Sequence, residues 1–267
     1  MTEFTVRLGR QDAVLVQVHA TQGSAPRERD AWMGVFADAV VGTIGGGQLE
    51  FQAIDEARRR LAGGAGDAVQ RYPLGPSLGQ CCGGVVHLSY EAVSARHVAE
   101  LQRRLMPKHL PVALFGGGHV GKALVAVLGT LPFAVTWIDS RDEIFPAGVP
   151  PNVACEHSDP VQAAVGGLVT GSRVLIMSFS HAEDLDVVAA CLTRQRERHD
   201  LAFIGLIGSR TKWATFRHRL EQRGFGAEEL AQVTCPIGLP GIRGKQPEVI
   251  AVSVAAQLLQ PLREDKV

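Results

Sequence analysis

The sequence predicts an α/β protein in two parts, a small N-terminal α+β domain followed by a C-terminal Rossmann-like parallel-sheet domain. Three observations predict it. Beyond residue 111, continuous apolar runs alternate with helical segments, as strands buried on both faces of a parallel sheet require. One strand-to-helix junction, "LFGGGHVGKAL", sets Gly116, Gly118 and Gly121 in G-x-G-x-x-G spacing. The first ninety or so residues read instead as short strands around one helix.

Taken in order, Ala13 to Val18, Trp32 to Phe36 and Ala39 to Val41 are strand segments. Gln48 to Leu61 switches to helical period, with Leu49, Ile54, Ala57 and Leu61 on one face, and the glycines from Gly63 to Gly66 end it. Val85 to Tyr90 is a further strand. From Ala92 to Leu110 the chain is charged and helical, punctuated by Pro107 and Pro111. The expected organisation is therefore residues 1–92, a helical linker over 93–110, and a second domain over 111–267. That domain opens with the strand Val112 to Phe115, the helix Val120 to Leu128 and the strand Ala134 to Ile138. Asn152 to Cys155, Val174 to Met177 and Ala202 to Leu206 supply later strands, and helices start near Glu183, Ser209 and Pro247. No internal repeat is present.

Composition narrows the partners. The 267 residues are 46% apolar, enough for a substantial core, and 27 basic side chains balance 27 acidic ones. A net charge of zero gives no footprint for nucleic acid or an anionic membrane surface. Arg58 to Arg60 and Arg194 to Arg198 sit beside acids and polar residues and read as solvated faces. "MTEFTVRLGR" lacks the apolar core of a signal peptide, and the apolar stretch Val112 to Ile138 is broken by glycines, His119 and Lys122. Five cysteines form no disulfide framework in a chain of this size, so a reducing cytoplasm is the expected setting.

Several stretches carry chemistry. Gly116 permits a tight turn, Gly118 lets backbone approach a pyrophosphate, and Gly121 lets the helix pack on the strand. Asp139 ends the next strand in "VTWIDSR", placed to accept hydrogen bonds from a ribose diol; Arg141 leaves a phosphate preference open. These residues set architecture and leave occupancy by a nucleotide open. In "GLIGSRTKWATF", Ser209 is a natural helix N-cap, and Arg210 and Lys212 offer a further phosphate contact. Gly45-Gly46-Gly47 precedes the first domain's helix and leaves several N–H donors for an anion. Glu50, in the helix's first turn, either caps it electrostatically or receives a ligand's N–H groups.

The stretch "GQCCGG" holds the vicinal pair Cys81 and Cys82. A disulfide between neighbours closes almost no loop, and neither C-x₂-C nor H-x₃-H zinc spacing is nearby. Two readings stay open: small apolar fillers, or a thiolate that meets a soft metal or carries sulfur.

Seven stretches occur in order from residue 23 to residue 259: "GSAPR", "GTIGGGQLE", "CCGG", "LFGGGHVG", "IDSR", "GLIGSRTK" and "CPIGLPGIRGKQPEVIAVSVAAQLL". Together they resemble the XdhC/CoxI family over nearly the whole chain. The resemblance implies a maturation chaperone and no catalytic residue. Such a protein would bind molybdenum cofactor (molybdopterin with its metal) and protect it while a cysteine desulfurase-type sulfurase installs a sulfide. It would then deliver the cofactor to a xanthine dehydrogenase. The resemblance places cofactor contacts on Cys82, Gly83 and Gly84, on Gly45, Gly46, Gly47 and Glu50, and on the glycines Gly116, Gly118 and Gly121. Since the cofactor's metal is held by soft sulfur, Cys82 is the expected contact to molybdenum. Cys81 falls where the family varies. A cleft between the two domains is the expected site, and a homodimer suits a carrier that docks two partners. The competing expectation is an NAD(P)-dependent oxidoreductase using the Rossmann turn and Asp139, with Cys82 or His181 in its chemistry.

Overall fold

The structure is a computed structural model and describes residues 1–24, 27–74, 84–106 and 109–260. It divides into two compact units, Met1–Met106 and Pro107–Val267.

The first unit runs α1 (Thr2–Leu8), β1 (Ala13–Gln22), β2 (Trp32–Val35), β3 (Val40–Gly42), α2 (Gly47–Leu61), β4 (Val69–Pro73), β5 (Val85–Val93) and α3 (Val98–Leu105). Its sheet is antiparallel in the order β3-β2-β1-β5-β4. Strict alternation along β1 sends Val14, Val16 and Val18 to one face, where they meet Leu49, Ala53 and Ala57 of α2. Ala13 and Leu15 point the other way, into a second layer with Phe4 and Leu8 of α1 and Leu101 and Leu105 of α3. Burying both faces explains why nearly every residue at the start of β1 is apolar.

Three expectations change here. The segment 93–110 is no mere connector, because Leu101 and Leu105 are buried in the first unit's core. Arg60 is not on a solvated face: its guanidinium pairs with Glu56 at 2.8 Å and stacks 4.1 Å from the centre of the Tyr90 ring. α1 and β4 were not foreseen from the sequence.

The second unit runs β6 (Leu110–Phe115), α4 (His119–Leu128), β7 (Phe133–Asp139), β8 (Val153–His157), β9 (Arg173–Ile176), α5 (His181–Arg198), β10 (Phe203–Leu206), α6 (Arg210–Gln222), α7 (Ala227–Leu230), β11 (Val233–Thr234) and α8 (Pro247–Leu259). All its strands are parallel, in the order β11-β10-β9-β6-β7-β8. The chain therefore starts in the middle of the sheet and winds outward in both directions, so the strand order reverses between β6 and β9.

The apolar run of β6 divides between two cores. Val112 and Leu114 enter the layer of α4 and α8, whereas Ala113 and Phe115 enter the layer of α5 and α6. Arg194 on α5, expected at a solvated face, is 5% exposed. It donates to the carbonyls of Val165 and Leu168 at 2.7 Å each and forks onto Asp200. A guanidinium suits this position because its planar donors reach loop carbonyls and a carboxylate at once. Among the described residues no helix is long and apolar enough to cross a membrane.

Candidate functional site

The reversal point of the parallel sheet is where such folds bind ligands, beyond the carboxyl ends of the strands. Here the turns after β6 and β9 touch. Gly116 has φ +121°, and a Cβ there would lie 2.0 Å from the Met177 carbonyl oxygen. Only glycine supplies both the dihedral and the missing side chain. Gly121 is required for a related reason: its Cβ would lie 2.1 Å from the Gly116 oxygen, so α4 seats directly on the turn. Gly118 differs. It caps α4 at a φ open to any residue, and a Cβ there would meet nothing within 4 Å. Internal packing accounts for Gly116 and Gly121 but leaves Gly118 facing open space at a helix N-terminus, a cradle that a side chain would fill.

Asp139 finds its hydrogen-bond partners within the chain. It is 2% exposed, and its four lone-pair positions are all taken. Oδ2 accepts from the Gly117 N–H at 2.6 Å and from Arg141 Nη2 at 3.0 Å. Oδ1 accepts from the Arg141 N–H at 3.0 Å and from Arg141 Nε at 2.9 Å. Burial pushes this carboxyl up, but the hydrogen bonds from Arg141 and Gly117 outweigh it and hold the group below its usual range. In this arrangement the arginine two residues on holds acceptor positions that a ribose diol would use.

Arg141 extends this network. Its guanidinium lies 4.4 Å from the centre of the Phe179 ring, in the turn between β9 and α5. That turn is braced by its own acids: Phe179 N–H donates to Glu183 Oε2 at 3.1 Å, and Ser178 N–H donates to Asp184 Oδ1 at 2.7 Å. Ser180 caps α5, its Oγ accepting from the Glu183 N–H. Ser140 Oγ donates to Glu183 Oε1 at 2.8 Å, which ties the turn after β7 to the turn after β9. His181 is exposed at the start of α5, edge-on to Phe216.

In the turn after β10, Ser209 caps α6 as expected, its Oγ accepting from the Lys212 N–H. The expected phosphate contact from Lys212 is corrected: its Nζ donates to Asp184 Oδ2 at 2.7 Å and to the Ile207 carbonyl at 2.8 Å. The lysine is held inward by a partner 28 residues away.

In the first unit, Gly45, Gly46 and Gly47 have φ of +122°, +74° and +67°, so side-chain-free backbone forms the turn. Its donors are less available than expected. Glu50 Oε2 accepts from the Thr43 hydroxyl and from the N–H groups of Ile44 and Gly46, both at 3.0 Å, while the Gly45 N–H goes to Thr43 Oγ1. Burial pushes the Glu50 carboxyl up, but its bonds from Thr43, Gly46 and Ile44 together hold it low. The carboxylate four residues beyond Gly46 occupies the turn. Gly84 packs against the end of β1 and the residues after it: a Cβ there would lie 2.6 Å from the Gln22 carbonyl oxygen and 2.3 Å from that of Ser24. Cys81, Cys82 and Gly83 lie outside the described residues. Among the described residues no group of three or more His, Cys, Asp and Glu side chains could hold a metal ion.

A doubly wound parallel sheet with a glycine turn at its reversal point defines an α/β protein with a Rossmann-type ligand crevice. The chain belongs to the XdhC and CoxI family: the profile described as "XdhC Rossmann domain" matches residues 112–258, and that described as "XdhC and CoxI family" matches residues 7–73. It is 28% identical over 260 residues to the uncharacterised protein YqeB of Escherichia coli strain K12. That match covers 92% of this chain but 43% of YqeB, so the chain spans less than half of that relative. A crystal structure described as that of a xanthine dehydrogenase from Bacillus halodurans matches with a TM-score of 0.78. It covers 99% of this chain and 96% of that one at 19% identity, a likeness of fold.

Proposed function

We propose that this protein carries molybdenum cofactor, shields it while a sulfurase installs the terminal sulfide, and hands it to a xanthine dehydrogenase-type enzyme. Membership of the XdhC and CoxI family points to molybdoenzyme maturation in general, and this is the observation that carries the reading. The residues present suit part of the cofactor. Molybdopterin bears a phosphate, and the α4 N-terminus at Gly118 offers an uncrowded cradle for one. Its metal is held by sulfur, which suits a thiolate at Cys82. When bound, the cofactor supplies a molybdenum centre for a client enzyme; this chain binds, orients and shelters it.

A nucleotide-dependent oxidoreductase is the second reading, favoured by the strand order. The saturated carboxylate of Asp139 counts against it.

The deciding experiment is metal analysis and pterin fluorescence on protein purified from a cofactor-competent cell, followed by reconstitution of a xanthine dehydrogenase lacking its sulfide. Near-stoichiometric pterin and restored activity are expected. A folded protein that binds no pterin would overturn the carrier reading, and nucleotide-dependent turnover without a client would establish the second.

A further inference from the structure

The turn between β9 and α5 exposes a large aromatic side chain where the fold invests unusual effort. Phe179 is 67% exposed, and a single exposed aromatic needs no explanation by itself. This one is fixed in place. Its own N–H is held by Glu183, the preceding N–H by Asp184, and Glu183 is held by Ser140 from the neighbouring turn. Arg141, itself locked onto Asp139, lies against its ring. Beside it, Ser178 Oγ is buried with no hydrogen-bond partner among the described residues.

Charge indicates what that corner accepts. Arg141 is neutralised by Asp139, and Glu183 and Glu143 stand close enough to influence it. A second phosphate is therefore poorly served there. A flat, uncharged ring is well served, since a guanidinium and an aromatic face both stack on heterocycles. The phosphate end belongs at the other side of the crevice, at the open Gly118 cradle.

We infer that Arg141 and Phe179 form a stacking platform for the fused heterocycle of a phosphorylated ligand, a purine nucleotide or a pterin phosphate, with Asp139 as the residue that positions Arg141. The inference rests on the reading that the Gly118 turn receives a phosphate.

The test uses the full chain with four probes: ADP, 6-hydroxymethylpterin diphosphate, ribose 5-phosphate and inorganic pyrophosphate, each titrated calorimetrically. A ring-bearing probe is expected to bind at least tenfold more tightly than pyrophosphate or ribose 5-phosphate, and the tighter of ADP and the pterin identifies the ring. Phe179→Ala, at an exposed position, should weaken that probe about tenfold while leaving pyrophosphate unchanged, and Phe179→Trp should restore it. Ring-bearing probes that bind no better than pyrophosphate, or that ignore Phe179→Ala, overturn the platform. Gly118→Val separates the two layers. If it abolishes pyrophosphate binding while Phe179→Ala changes nothing, the platform alone falls; if wild-type protein binds none of the four, the phosphate reading falls with it.

Discussion

Lys212 Nζ lies 2.7 Å from Asp184 Oδ2, joining the first turn of α6 to the first turn of α5 across the carboxyl edge of the parallel sheet. Both side chains are largely buried, at 12% and 3% exposure. The other Asp184 oxygen holds the Ser178 N–H, so one carboxylate fixes the turns after β9 and β10 together.

Lys212→Met removes the cation and leaves that carboxylate buried without its counter-charge. Removing one partner of such a pair costs about 3 kcal/mol or more. Urea unfolding should show this loss, and adding Asp184→Asn should recover much of it. A loss below about 1 kcal/mol in the single variant would mean that water reaches the pair.

The Asp139–Arg141 pair predicts an acid limb. The Asp139 carboxyl is depressed in the folded state relative to its ordinary value of 3.8. Its contribution is therefore complete above the unfolded value and is lost as pH falls through that value toward the lower folded one. Asp139→Asn should be less stable than wild type at pH 7, and the gap should narrow between about pH 5 and pH 2. Denaturation midpoints measured across that range decide it; parallel curves would refute the assignment.

The turn glycines should separate by role. Gly116→Ala drives a Cβ into the Met177 carbonyl at a positive φ and should cost more than about 2 kcal/mol. Gly118→Ala enters open space and should change stability by less than about 0.5 kcal/mol. Thermal melts of the two variants make the comparison directly, and equal losses would contradict it.

Cys82→Ser exchanges a soft sulfur for a hard hydroxyl of similar size. Under the proposed function, cofactor affinity should fall about tenfold, or about 1.4 kcal/mol, with folding intact. Cys81→Ser should do much less. Pterin retention after gel filtration measures both, and full retention in both variants would make the thiols space-fillers.

The legible parts of this fold are those written in local pattern. The four buried apolar residues of β6, the glycine spacing after it and the acid ending β7 lie within one thirty-residue unit, and each signal is contiguous. α1 escapes because its burial rests on Phe4 and Leu8 alone, one turn apart. β4 escapes because it is an edge strand with only Tyr72 buried, and β11 because it is two residues long. The site was half legible for a different reason. Asp139, Glu50 and Lys212 were each recognisable as charged groups beside a turn, but what each holds depends on which partner arrives first in space. Arg141 lies two residues from its partner and Asp184 lies 28 from Lys212; neither separation is a periodic signal. Phe179 carried no signal at all, since exposure belongs to the folded turn.

The Glu50 carboxylate gives the Gly45–Gly47 turn a resident anion. Because it is tethered within the same helical turn, its effective concentration there far exceeds that of any free ligand. An incoming anion that uses the Ile44 and Gly46 N–H groups must displace it, so occupancy of that turn is an exchange rather than an addition. The same carboxylate is ready to return when the visitor leaves, which keeps the vacated turn in one shape and makes departure as well served as arrival.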